Sequence, residues 1–115
     1  MAKKRIPDSE GNAALANLET QAPTATRYLL QQLETLHPGG TIELRVPPYG
    51  AVQLVGGLNH RRGTPPNVVE LDPDSFIAMS QGKVSWMELV ESGKLIASGA
   101  RAIELKELFP IAEVR

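Results

Sequence analysis

The densest polar cluster in this 115-residue chain is His60-Arg61-Arg62, which stands beside Gly63 in a stretch crowded with turn residues. Two guanidinium groups on such a loop can grip a phosphate or carboxylate through paired N–H donors, the chemistry of a polar gate at a ligand site. A solvated basic loop explains the same residues without function, and both readings stand. His37 sits at the end of a helical pattern just before Pro38, where the helix dipole accounts for it. The two histidines are far apart, there is no cysteine, and no His-x-x-Glu pair occurs, so the spacing offers no metal site. Neither a metal nor any other cofactor is expected. Glu43, Arg45, Gln53 and Glu70 fall on alternate positions of three strand-like runs and read most simply as a solvated sheet face. A functional version would set Arg45 and Glu70 together in a cleft as a charged pair. Nothing supplies either one with a nucleophile, and there is no G-x-S-x-G elbow or phosphate-binding glycine motif. The chain is therefore expected not to be an enzyme.

The elements that would position these residues follow from periodicity. Residues 6–19 carry Ala13, Ala14, Leu15 and Leu18 after a polar start, a weakly apolar short helix. After Pro23, Tyr28, Leu29, Leu33 and Leu36 recur on one side of a helix over 24–36, which Pro38-Gly39-Gly40 stops. From Thr41 the period becomes two: Ile42, Leu44 and Val46 alternate with Glu43 and Arg45. Pro47-Pro48-Tyr49-Gly50 breaks that run and a second strand resumes over 51–57, so an antiparallel hairpin is expected. A loop over 56–66 leads to a third strand over 67–72. Asp72-Pro73 then supplies an N-cap followed by proline at the first helical position. Ser85-x-x-Glu88 has the form of a capping box for a second short helix ending near Gly93. A strand over 94–98 and a helix over 101–109, stopped by Pro110, complete the order.

Strands clustered before a helical pair predict an α+β fold with a largely antiparallel sheet of about four to five strands, covered on one face by helices. The length and the 42% hydrophobic content suit one domain over 1–115, with 1–10 a flexible start and 11–40 an N-terminal helical segment. Net charge is −1, and setting aside Lys3, Lys4 and Arg5 leaves nine basic against thirteen acidic residues, or −4. Such a body has no general attraction for nucleic acid. No run approaches the ~18 apolar residues of a membrane span, so stable membrane insertion is not expected and a cytoplasmic location is.

From Val68 to Phe109 the chain resembles the sterol carrier protein type two superfamily. The resemblance is carried by Asp74-Ser75-Phe76-Ile77-Ala78-Met79-Ser80-Gln81-Gly82-Lys83, then Ser92-Gly93-Lys94-Leu95, then Ser98-Gly99. Together with Val46-Pro47-Pro48-Tyr49-Gly50-Ala51-Val52-Gln53 and Arg62-Gly63-Thr64-Pro65-Pro66-Asn67, the whole chain is similar to a short bacterial branch of sterol carrier family proteins. The resemblance implies a curved, sterol carrier protein-like sheet with helices on one face, enclosing an apolar tunnel for a fatty acyl chain, an acyl-CoA or a sterol. The implied apolar wall is Phe76, Met79, Trp86, Leu89, Leu95, Leu105 and Phe109, with His60, Arg61 and Arg62 as the polar gate. Filling an ordinary core is the competing role for the wall residues. The family often has an aspartate after the Ser-Gly pair; Ala100 stands here, so the last helix is expected to start differently. The expected function is non-enzymatic binding or carriage of a lipid-like small molecule. The alternative is an accessory module completing a partner enzyme's site through the 60–67 loop. Partner protein and homodimer both remain open.

Overall fold

The computed structural model describes residues 4–56 and 65–111. Helix α1 (Asp8–Leu15) and helix α2 (Leu18–Leu36) form an N-terminal pair. Strands β1 (Pro38–Val46), β2 (Gly50–Leu54) and β3 (Asn67–Leu71) follow, then α3 (Pro73–Ser80), α4 (Trp86–Glu91), β4 (Leu95–Ser98) and a 3₁₀ helix (Ala102–Leu108). The long helix carries a backbone break at Gln21, so a short turn from Leu18 precedes the helical run that Pro23 helps to open. Pro23 then occupies the first turn after the break, where a missing N–H removes no helical bond.

From Ile6 onward the chain is bonded to α2. The Ile6 amide donates to Gln31 Oε1 and its carbonyl accepts from Gln31 Nε2, both at 2.9 Å. The Tyr28 hydroxyl donates to Asp8 Oδ1 at 2.9 Å, and Gly11 lies so close to the Tyr28 ring that a Cβ there would overlap it. These contacts lay α1 along α2.

The sheet order is β2-β1-β3-β4, with four strands. β1 and β2 are the expected antiparallel hairpin, with Glu43 opposite Gln53 and Arg45 opposite Ala51. The sheet is mixed rather than largely antiparallel, because β3 runs parallel to β1, with Arg45 beside Glu70. The reason is connectivity. Residues 55–66 carry the chain from the end of β2 past β1 to its other side, and a strand entered there points the same way as β1. β4 pairs antiparallel with β3 and closes the order.

Alternation decides the faces. Ile42, Leu44, Val46, Leu54, Val69, Leu71 and Leu95 are buried under the helices, while Glu70 and Ile96 lie on the open side, Ile96 66% exposed. α2 crosses β1 and β2 and packs on α3, and the 3₁₀ helix rests on β3 and β4. The final helix is 3₁₀ and has no cap from its own residues. Its first turn is held instead from across the sheet. The buried Asn67 accepts from the Arg101 amide at 2.9 Å and donates to the Thr41 carbonyl at 3.0 Å. The departure at Ala100 thus has a counterpart in Asn67.

Both remaining helix starts form as the sequence predicts. Ser85 and Glu88 make the reciprocal capping box, at 3.1 Å and 2.9 Å. Asp72 accepts from the Ser75 amide at 3.0 Å and from the Ser75 hydroxyl at 2.7 Å. Burial pushes the Asp72 carboxyl up, but the two Ser75 bonds and the charge of Lys94 outweigh it and hold the group below the ordinary aspartate value. A carboxyl depressed by folding stabilises fully above its unfolded pKa, and that stability is lost as the pH falls through the folded value. Asp72→Ala is expected to lower stability by about 1 kcal/mol at neutral pH. Urea unfolding of both proteins checks this: the gap should narrow as the pH falls below the ordinary aspartate range, and a gap that persists in full there would remove the carboxylate from the account.

Candidate functional site

The seven residues expected to form an apolar wall divide into two groups. Phe76, Leu89, Leu95 and Leu105 are buried in one hydrophobic core with Leu29, Leu33 and the inner sheet residues. There they do what an ordinary core requires, and Phe76 is fully enclosed. Its ring meets Phe109 edge to face, with centroids 6.2 Å apart and planes at 83°. Met79, Trp86 and Phe109 belong to the same packing, yet they also line a surface cleft of about 380 Å³. That cleft lies where the end of α3, the start of α4 and the end of the 3₁₀ helix converge.

Val84, Met87 and Pro110 extend its apolar lining, and Lys83, Lys106 and Glu88 supply its charges. Local chemistry explains why these side chains meet. Gly82, with φ of +77°, turns the chain out of α3. The capping box starts α4 at Trp86, and the Ile111 amide donates to the Ser80 carbonyl at 2.9 Å, tying the C-terminal segment to the end of α3. The cleft opens at the surface rather than running through the interior as a tunnel.

His60, Arg61 and Arg62, the expected polar gate, lie outside the described residues, as does most of the 60–67 loop. Of that loop, Pro65 is buried and Asn67 is the bridging residue already described. The lysines beside the cleft were not singled out by sequence reasoning. Lys83 and Lys106 are 23 residues apart, so no local motif joins them.

On the open sheet face, the possible Arg45–Glu70 pair gives way to a different partner. Arg45 Nε bonds Glu43 Oε2 at 2.7 Å, and Gln53 Nε2 donates to Glu43 Oε1 at 3.4 Å. Glu43 and Arg45 are two apart on one strand and so project from the same face. His37 acts through its backbone, its amide bonding the Leu33 carbonyl at 2.8 Å. Among the described residues, no three His, Asp or Glu side chains gather as a metal-ligand set. Among them, too, no helix is long and apolar enough to cross a membrane.

A family model described as bacterial SCP ortholog matches residues 19–111. The chain belongs to this family. The match starts in α2 and runs to the last described residue, so it takes in the whole sheet, the capped helices and the cleft beside Trp86. It leaves α1 and the N-terminal segment outside. Of the curated proteins compared, none matches the chain. The sterol carrier resemblance read from Val68 to Phe109 therefore extends back to Glu19, over an α+β chain whose sheet is mixed.

Proposed function

We propose that this SCP family protein binds a single apolar or amphipathic molecule of the fatty-acyl or sterol class, without transforming it. The observation that carries the reading is the cleft in which Met79, Trp86 and Phe109 lie together with Lys83 and Lys106. Apolar side chains with a few polar groups at the edge are the usual make-up of a small-molecule site. The apolar lining would remove an acyl tail or ring from water, and a lysine ammonium would meet a carboxylate or other anionic end. A ligand with both parts suits this lining better than a wholly polar one.

Trp86 is the chain's single tryptophan and lines the cleft, so its fluorescence reports binding directly. Titration with decanoate is expected to change that emission saturably. The double variant Lys83→Gln, Lys106→Gln should weaken decanoate by about three- to tenfold, as two exposed ion pairs would, and leave uncharged decanol unaffected. Native mass spectrometry of the freshly purified protein should show a co-purifying lipid. Flat titrations with fatty acids, acyl-CoAs and sterols, together with ligand-free protein, would remove the carrier reading.

A further inference from the structure

A second cleft, also about 380 Å³, lies at the opposite kind of surface, between the N-terminal segment, α2 and the edge strand β2. Its lining brings together Lys4, Arg5 and Arg27, with one carboxylate, Glu34. Three positive charges against one negative leave a local excess of two in a chain whose net charge is −1. Arg27, Gln31 and Glu34 are spaced by four and three residues and so share one face of α2. Lys4 and Arg5 reach that face because Gln31 clamps the adjoining Ile6 backbone by its two bonds, and Arg5 Nη1 lies 3.4 Å from Thr35 Oγ1.

Neither Lys4 nor Arg27 makes an ion pair among the described residues. Charges of like sign around one cleft repel one another unless an anion joins them. Leu30 and Val52 give the cleft an apolar part, and Tyr49 adds a phenol beside it.

We propose that this cleft binds a small phosphate monoester. A phosphate group carries close to two negative charges at neutral pH and three acceptor oxygens, matching the excess charge and the three cations. A carboxylate would neutralise only half of it. The space over Leu30 and Val52 takes the ester's organic part. The site is separate from the cleft at Trp86 and does not rest on it.

The test is an amide-resolved NMR titration of the full chain with methyl phosphate at low salt, with acetate and phosphatidylglycerol vesicles as parallel arms. Methyl phosphate is expected to give saturable shifts centred on Arg5, Arg27, Gly50 and Ala51, to leave Trp86 fluorescence unchanged, and to weaken as salt rises. Arg27→Gln, at an exposed helix position, should weaken it about tenfold with an unchanged thermal midpoint. Lys4→Gln with Arg5→Gln should do the same from the other wall. Acetate should bind at least tenfold more weakly. The proposal is overturned if methyl phosphate gives no saturable shifts, if acetate binds as well, if Arg27→Gln binds normally, or if only vesicles bind, which would make the cations a lipid-surface contact.

Discussion

Phe76→Ala is expected to destabilise the protein by about 3–5 kcal/mol, the usual cost of emptying a fully enclosed aromatic site. Phe76 is 0% exposed, belongs to the buried core with Leu29, Leu33 and the inner sheet residues, and is the partner of the Phe109 ring. Losing the edge-to-face contact accounts for about 1 kcal/mol of the cost, and lost burial with the remaining cavity accounts for the rest. Urea unfolding measures it, and Ile96→Ala on the open sheet face, expected within about 0.5 kcal/mol of wild type, is the control. The result bears on function as well as stability. In an internal lipid tunnel, Phe76 would be a wall with empty space on one side, and truncating it would cost little. A loss below about 1 kcal/mol would therefore restore the tunnel reading, whereas the full loss leaves the surface cleft at Trp86 as the place for a ligand.

Gly39→Ala is expected to cost about 2–4 kcal/mol, by a mechanism that involves no buried side chain. Gly39 has φ of +156° and lies in the irregular start of β1, where both Pro38 and Ile42 pair with Leu54. A Cβ there would overlap the Val55 carbonyl, which is backbone and cannot rotate aside. Val55 is itself held at φ of +74°, an unusual position for a β-branched residue, by its amide bond to the His37 carbonyl at 2.9 Å. Either the bulge or the end of β2 must move. Gly93→Ala separates the two causes: Gly93 also has positive φ, +78°, but nothing lies within 4 Å of its Cβ position. Only the left-handed backbone penalty of about 1–2 kcal/mol should appear there. Thermal unfolding of both variants decides the matter, and equal losses would mean that the Val55 contact contributes nothing.

Periodicity and capping residues made most elements legible. Ile42, Leu44 and Val46 alternate in sequence and are buried together; Asp72-Pro73 and Ser85-x-x-Glu88 start the helices they predict. These signals are local: a strand's two faces and a helix's first turn are set by residues within a few positions of each other. The parallel pairing of β3 with β1 was not legible, because direction depends on which side of β1 the 55–66 connection delivers the chain. Nor was the 3₁₀ start at Ala102, whose cap comes from Asn67, 34 residues before the Arg101 amide it receives.

The candidate sites divide in the same way. A hydrophobic residue's type says that it will leave water, and this alone placed Phe76, Met79, Trp86 and Phe109 in one apolar layer. Whether such a residue ends as core or as the edge of a cleft depends on what packs against its other side, which is a property of distant segments. Charged residues carry still less local information, since an exposed lysine has the same sequence context with or without a neighbour. Composition, pattern and the SCP resemblance thus determined the α+β class and the order of the elements. Only the tertiary structure decided that Lys83 and Lys106 line one cleft beside Trp86 and that Lys4, Arg5 and Arg27 line another beside β2. A shared cleft requires the ends of separate elements to converge, and convergence follows from how the helices pack on the sheet.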